Sequence, residues 1–229
     1  MRLGWLISTV CAIGALSCSG CNRVGNPAED PPLRPQDVVD FGTLYSQNCS
    51  ACHGQNGQNG PALDLANPVY EAIIDDASLR KWITNSVPGS EMPAFGESAG
   101  GFLTDRQVDV LVEGIRKNWA KADLRAADAP PYAMNLPGDG KSGEQTYKAV
   151  CLSCHQKPNE QISDTSYLAL VSDQGLRTIT IAGRPDLGHP DWRQDRPDRP
   201  LTNQEVTNIV AYLASLRSTT PGQPYPQQP

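Results

Sequence analysis

Cys49-Ser50-Ala51-Cys52-His53 and Cys151-Leu152-Ser153-Cys154-His155 are two copies of one pattern, Cys-x-x-Cys-His. This pattern is typical of c-type haem attachment. Two thiols three positions apart can each bond to one vinyl group of the same porphyrin, and the adjacent histidine then lies under the iron. A redox disulfide or half of a zinc site also uses Cys-x-x-Cys, but neither explains a histidine in the next position twice. The sequence therefore predicts two covalently bound haem c groups. Their attachment residues would be Cys49, Cys52, Cys151 and Cys154, and their proximal iron ligands His53 and His155.

The composition suggests one or two domains with a modest apolar core. The chain has 229 residues, of which 6% are aromatic, and it contains 20 glycines and 20 prolines. Two buried porphyrins would supply much of the missing apolar surface. The net charge of −6 argues against nucleic acid as a partner, because nucleic acid needs a basic face. It permits a protein partner with a basic patch.

The remaining three cysteines all lie in the first 21 residues. Residues 1–21 resemble an export signal, because the apolar run 3–16 is too short for a confident membrane-spanning helix. Ser19-Gly20-Cys21 resembles the end of a bacterial lipobox, which predicts lipid on Cys21; an ordinary cleaved signal and an uncleaved anchor are the alternatives. The proline-rich segment 22–36 suits a tether. Haem attachment is completed outside the cytoplasm in bacteria, so we expect an exported protein on the periplasmic side.

The two motifs belong to an internal duplication. Tyr70 aligns with Tyr167 and Asp76 with Asp173, an offset of 97 positions that needs no gap from residue 69 to 92. A repeat of this size indicates two structural units rather than a solenoid. The predicted boundaries are domain 1 over 37–120, a linker over 121–137, domain 2 over 138–217 and a disordered tail over 218–229.

Each unit has the same predicted helices. A first helix leads into the haem motif, at about 37–49 and 142–151, and a middle helix follows Asp76 or Asp173. Capping boxes precede both closing helices, at Thr104 with Gln107 and Thr202 with Glu205. Apolar residues then recur at helical spacing, which predicts core packing against the first helix. They are Val108, Leu111, Val112 and Ile115, and Val206, Ile209, Val210 and Leu213.

The first unit resembles a class I cytochrome c domain. The resemblance rests on the haem motif, Gly60-Pro61, Met92-Pro93-Ala94-Phe95 and the capped terminal helix. It implies an all-α fold of two tandem domains, each of which wraps one covalent haem. It also implies Met92 as the distal ligand of the first iron and the Pro61 carbonyl as an acceptor from His53.

The whole chain is similar to dihaem cytochromes c that accompany bacterial cytochrome bc-type quinol oxidoreductases. The similarity rests on stretches 166–173 and 183–188. It implies an electron carrier, not an enzyme, between a membrane quinol-oxidising complex and a terminal oxidase or soluble cytochrome. A cytochrome subunit of a periplasmic dehydrogenase and a dihaem peroxidase-like enzyme are the alternatives.

The second iron needs a different distal ligand, because no methionine follows the second motif. The offset of 97 positions places His189 opposite Met92. Five-coordinate iron, water and Met134 remain alternatives. Methionine–histidine ligation raises the potential relative to two histidines. We therefore expect the haem of His53 (haem 1) to be the high-potential site and the haem of His155 (haem 2) the low-potential site.

Arg80 and Arg177 also correspond in the repeat. They are interpreted as propionate partners or as exposed helix charges, with the exposed charge favoured.

Overall fold

The structure is a computed structural model that describes residues 33–121, 128–156, 162, 164–194 and 198–220. These residues form helices and two isolated backbone bridges, with no strand among them, as expected for the all-α fold. The chain divides into two compact units, 1–35 and 36–229. The predicted signal, Cys21, most of the tether and the end of the tail lie outside the described residues. Within the described ranges, no helix combines the length and apolar character needed to span a bilayer.

Five α-helices are described before residue 122. They are α1 (Phe41–Asn48), α2 (Ser50–His53), α3 (Pro68–Ile73), α4 (Asp76–Asn85) and α5 (Asp105–Trp119), and 3-10 turns lie at Pro35–Asp37 and Glu97–Ala99. The first helix begins later than the predicted residue 37, because the Asp40 carboxylate accepts from the Thr43 backbone N–H and so caps α1. Asparagine and aspartate favour this position because their side chains satisfy N–H groups of the first turn.

Four α-helices are described after residue 128. They are α6 (Gly140–Val150), α7 (Thr165–Ala169), α8 (Asp173–Ala182) and α9 (Asn203–Ser215), with a 3-10 turn at Pro185–Leu187. The first helix of this half begins two residues before the predicted 142, after its cap Asp139. The second haem motif lies in turns, whereas the end of the first motif forms α2. The two halves therefore share a plan but differ at the motif itself.

The closing helices confirm the predicted caps and core. Thr104 with Gln107 and Thr202 with Glu205 form complete capping boxes. All eight predicted stripe residues are buried, with exposed fractions between 0% and 8%. Helix α5 packs against α1 and α4, and α9 packs against α6 and α8. In each half, the first and middle helices therefore both pack against the closing helix.

The two halves touch through buried polar contacts between α3 and α8. The Asn67 side chain is 1% exposed, and its amide donates to the Ala182 carbonyl at 2.8 Å and the Gly183 carbonyl at 3.3 Å. Its oxygen accepts from the backbone N–H groups at the start of α3. One side chain thus caps a helix of the first half and binds the end of a helix of the second.

The favoured interpretation of Arg177 as an exposed charge is wrong. Arg177 is fully buried, and its guanidinium donates to the Pro131 and Tyr132 carbonyls and to Thr207 and Asn203 side-chain oxygens. Residues 131–132 belong to the predicted linker. The arginine therefore fastens this part of the linker to α8 and α9.

Arg80, at the corresponding position of the first half, is a partly exposed surface charge. It pairs with Asp105 and Asp109 on α5. The exposed-charge interpretation is thus correct for one copy of the repeat and not for the other.

Candidate haem centres

The first motif lies at a junction of two short helices. Cys49 ends α1 and precedes α2, which carries Cys52 and His53. The backbone N–H groups of Cys52 and His53 both donate to the Cys49 carbonyl, at 3.2 and 2.9 Å. The motif is therefore one tight turn, which holds its two thiols and the imidazole in one local frame.

His53 is oriented by a carbonyl of the following loop. Its Nδ1 lies 2.7 Å from the Leu63 carbonyl oxygen, so the expected partner Pro61 is replaced by a residue two positions later. When Nδ1 carries the proton and donates here, Nε2 remains available to iron. Burial lowers the pKa of His53. The hydrogen bond orients the ring, and burial favours the neutral imidazole that metal ligation needs.

The Cys49 thiol does not have the properties of a redox-active cysteine. Burial, with a contribution from Cys52, raises its pKa to about 12. Disulfide oxidoreductases need the opposite, a thiol whose pKa is lowered so that the thiolate forms. Within the described ranges, no cluster of three histidine, cysteine or acidic side chains suits a metal ion.

Met92 lies in the loop between α4 and α5. It is partly buried and packs against the same core as Cys49. The Ser86 hydroxyl donates to the Met92 carbonyl at 2.5 Å, and the Phe95 N–H donates to the Ile83 carbonyl at 3.1 Å. The loop is thus fixed to the end of α4 on both sides of the methionine.

The second motif opens onto a cavity between α6, α8 and α9. Its walls are largely apolar. They include both motif cysteines, both histidines of this half and side chains of four helices, α6 to α9: Val150, Cys151, Cys154, His155, Tyr167, Leu176, Ile179, His189, Ile209 and Leu213. An apolar pocket with two thiols on its rim and imidazole groups inside fits covalent haem.

The two imidazoles of this cavity face each other. The ring centres of His155 and His189 lie 6.0 Å apart, with 38° between the ring planes. His155 and His189 would be the two residues of this cavity that could each offer an imidazole nitrogen to a haem iron. Met134, the alternative ligand, is 41% exposed and is not part of the cavity wall.

Hydrogen bonds hold His189 in this position. Its Nδ1 lies 2.8 Å from the Pro190 carbonyl oxygen, and Nε2 is left as the unprotonated nitrogen when Nδ1 is protonated. Its backbone exchanges two hydrogen bonds with Arg184, at 2.9 and 3.1 Å. Burial lowers the pKa of His189, which favours the neutral ring.

Sequence reasoning missed two residues near the first centre. Arg184 and Asp186 form an ion pair at 2.7 Å, and their side chains are only 10% and 1% exposed. Arg184 also reaches the Gly60 carbonyl in the first half, at 3.0 Å. The one available signal was a basic and an acidic residue two positions apart within stretch 183–188. That spacing alone does not show that the pair is buried.

Comparison with known proteins supports a c-type cytochrome. Residues 36–113 match the family described as cytochrome c oxidase, cbb3-type, subunit III. Subunit CcoP of the cbb3-type cytochrome c oxidase of Azospirillum sp. (strain B510) is 28% identical over 195 residues, which are 78% of this chain and 57% of that protein. Dihydro-heme d1 dehydrogenase of Pseudomonas aeruginosa is 30% identical over 99 residues, which are 40% of this chain and 19% of that protein.

This chain therefore spans little more than half of the first relative's length and about a fifth of the second's. A chain of the reducing HAO-like protein complex of Kuenenia stuttgartiensis is 18% identical with a TM-score of 0.48, and the match covers 80% of this chain and 99% of that one. The family match and the relatives support a cytochrome c domain in the first half, with covalently bound haem c and an electron-transfer role.

Proposed function

We propose that this chain is a dihaem c-type cytochrome that carries single electrons between protein complexes. The observation that carries the proposal is the pair of facing imidazoles, His155 and His189, in a cavity that also holds Cys151 and Cys154. The duplication extends the argument to the first half, where Cys49, Cys52 and His53 form the corresponding motif. When bound, the two haems would supply one-electron chemistry at two irons.

The distal ligands would make the two centres unequal. Met92 would bind the first iron beside His53, and His189 would bind the second beside His155. A thioether stabilises ferrous iron relative to a second imidazole, so haem 1 would have the higher potential. A difference of about 180 mV would hold the electron on haem 1 about a thousandfold over haem 2, since 59 mV is tenfold for one electron.

Two distal ligands also weigh against peroxidase chemistry. A reactive haem needs an open coordination position, and His189 would fill the position that peroxide requires. The protein would therefore be a carrier without substrate turnover of its own.

The relatives suggest the kind of partner. They are an oxidase subunit and a dehydrogenase. We infer that the chain exchanges electrons with a membrane quinol-oxidising complex on one side and an oxidase or soluble cytochrome on the other, or that it serves a periplasmic dehydrogenase. An exported protein with lipid on Cys21 would be held at the membrane surface where such complexes lie.

Haem content and ligation test the proposal. The mass of the mature protein should show two haems, and the ferric spectra should show one methionine–iron charge-transfer band and one bis-imidazole signal. His189→Met should raise the potential of haem 2, and His189→Ala should open its iron to carbon monoxide. A single haem per chain, or methionine ligation at both irons, would refute it.

A further inference from the structure

The segment that carries His189 also contacts the first haem motif. Arg184 and His189 form an isolated antiparallel bridge, in which each backbone N–H donates to the carbonyl of the other. The His189 ring faces His155 in the second half. The Arg184 side chain points the other way, into the first half. One short loop therefore touches both centres.

Hydrogen bonds hold the Arg184 guanidinium along the edge formed by Nε and Nη2. Nε and Nη2 donate to the two oxygens of Asp186, at 2.9 and 2.7 Å, and Nη2 also donates to the Gly60 carbonyl at 3.0 Å. Asp186 in turn accepts from the Asn59 backbone N–H at 3.0 Å. A planar fork held by a carboxylate loses little further freedom on binding a carbonyl. The ion pair thus binds the backbone of two consecutive residues of the first half, Asn59 and Gly60.

Those two residues lie directly on the first haem motif. A Cβ added to Gly60 would lie 2.3 Å from the Cys52 carbonyl oxygen and 2.7 Å from the His53 carbonyl carbon. Only glycine allows this approach. Arg184 and Gly60 therefore connect His189 with the first haem motif. The Arg184 backbone bonds to His189, its side chain bonds to the Gly60 carbonyl, and Gly60 packs closely on the backbone of Cys52 and His53.

We propose that Arg184 is a positioning residue that joins the segment carrying His189 to the backbone of the first haem motif, and that it would so set electron transfer between the two haems. The inference rests on the proposed function, since it requires both haems. In the step itself, one ferrous iron is oxidised and one ferric iron is reduced by a single electron; no bond forms or breaks and no proton moves. The chain supplies the fixed contact between the two sites.

Arg184 also balances charge at this contact. Asp64 is 2% exposed, and its pKa is raised by burial and by Asp186 but lowered by Arg184. The guanidinium therefore pairs with Asp186 and offsets part of the negative charge that Asp64 would carry. Its removal would leave negative charge near haem 1, which stabilises ferric iron and lowers the potential of that haem.

The test uses the full-length dihaem protein with Arg184→Gln, Arg184→Lys and the double variant Arg184→Gln/Asp186→Asn. The double variant removes both charges together and leaves amides in their place. It therefore tests the same contact without an unpaired buried carboxylate that could prevent folding. Arg80→Gln is the matched control, because it removes an ion-paired arginine that does not contact the other half. The measurements are the internal electron-transfer rate after flash reduction, the potential of each haem and the ferric paramagnetic spectrum of haem 2.

For Arg184→Gln we expect the internal rate to fall about twofold to thirtyfold, the range that substitutions along a coupling route produce. The potential of haem 1 should fall as well, and Arg184→Lys should restore the potential more than the rate, because lysine keeps the charge but not the fork. The double variant should keep a slow rate with the potential of haem 1 near that of the wild type. Arg80→Gln should change neither the rate nor either potential.

An unchanged rate in folded Arg184→Gln and in the double variant would overturn the proposal, and so would an equal loss in Arg80→Gln. Haem count and ligand spectra separate this failure from failure of the proposed function. If the protein holds two haems with unlike ligands and the rate is unchanged, only the proposed role of Arg184 is rejected. If the protein holds one haem, or two haems with the same ligands, the proposed function itself is rejected.

Discussion

Gly183 fixes where His189 can lie. Its φ is +68°, and a Cβ at this position would lie 2.3 Å from the Pro190 carbonyl oxygen and 2.7 Å from that of His189. The glycine therefore meets two requirements at once, a left-handed backbone and a close approach to the segment that carries the proposed ligand. Gly188, in the same loop, has φ +78° but no neighbour within 4 Å of its Cβ position.

Alanine substitutions at the two glycines distinguish the effect of backbone strain from the effect of a steric clash. Gly183→Ala should push the segment 189–190 away from α8 and so withdraw His189 from the second iron, which carbon monoxide binding to the ferrous protein would report. Gly188→Ala should cost about 1 kcal/mol through its backbone alone and leave carbon monoxide binding low. Equal carbon monoxide binding by both variants would show that Gly183 does not hold His189.

At the level of single residues, the sequence predicts most where a motif has a fixed spacing. The two Cys-x-x-Cys-His motifs and the register of His189 with Met92 follow from the sequence, and the structure places His189 opposite His155. Leu63 could not be predicted as the partner of His53, because any backbone carbonyl can accept and only the loop's path selects one. The same holds for Arg184, whose acceptor at Gly60 belongs to the other half.

At the level of helices, the repeat keeps an arginine but changes its partners. Arg80 on α4 pairs with carboxylates at the start and one turn into α5. At the corresponding positions on α9, Arg177 meets the neutral side chains Asn203 and Thr207. The linker carbonyls complete its hydrogen bonds. The sequence shows that the arginine repeats, but the burial of Arg177 depends on its contacts with linker carbonyls, which the sequence does not show.

The two arginines should therefore differ in their contribution to stability. Arg177→Leu would remove the donor to the Pro131 carbonyl and to the Thr207 and Asn203 side-chain oxygens, and it would leave Gln174 as the donor to the Tyr132 carbonyl. It should lower the free energy of unfolding by about 3 kcal/mol. Arg80→Leu removes a partly exposed ion pair and should cost no more than about 1 kcal/mol. Denaturant unfolding measures both. Equal losses would contradict the assignment of Arg177 to the core.

A second arginine pair shows a limit of the repeat alignment. Arg116 donates to the Glu71 and Ile74 carbonyls and to Asp76, and Arg217 binds the same three positions of the second half. The two arginines do not align at the offset of 97, because Arg217 lies about one helical turn farther along. A long flexible side chain can reach the same carbonyls from adjacent turns, so the contact is shared although the position is not.

The start of α9 should show a defined acid response. Glu205 closes the capping box, and Arg199 with Thr202 lowers its pKa from 4.5 to about 2. A carboxylate with a depressed pKa contributes stability above its unfolded value, and this contribution is lost as the pH falls from about 4.5 to 2. Glu205→Gln should lower stability at pH 7 and make it less dependent on pH in this window. A thermal midpoint that falls equally steeply in both proteins would contradict this role.

At the scale of the whole molecule, the halves are joined where Asn67 meets the end of α8. Residues 36–229 form one compact unit, and the Asn67 amide lies buried between the two halves. The second half uses Asp164 at the corresponding position, where it caps α7 and is not needed as a donor. The repeat therefore suggests the substitution that isolates the junction, since aspartate keeps the cap and removes the donor.

Asn67→Asp should weaken the coupling between the halves. The introduced carboxylate would still accept from the Val69 N–H but would face the Ala182 and Gly183 carbonyls, at a cost of about 3 kcal/mol near pH 7. Burial raises the folded-state pKa of such a carboxyl above its unfolded value of about 3.9. The cost should therefore grow as the pH rises above about 4 and shrink below it, where the protonated group can donate.

Hydrogen exchange of peptides from α5 and α9 reports the two halves separately. In the wild type, both helices should open together with the same free energy, as expected for cooperative unfolding. In Asn67→Asp, one half should open at lower free energy than the other. Asn85→Asp is the matched control, because the Asn85 amide binds only its own helix, at the Lys81 carbonyl. If the two halves still exchange together in Asn67→Asp, the Asn67 hydrogen bonds do not determine the coupling between them. Other contacts, such as Arg184 with Gly60, would then hold the junction.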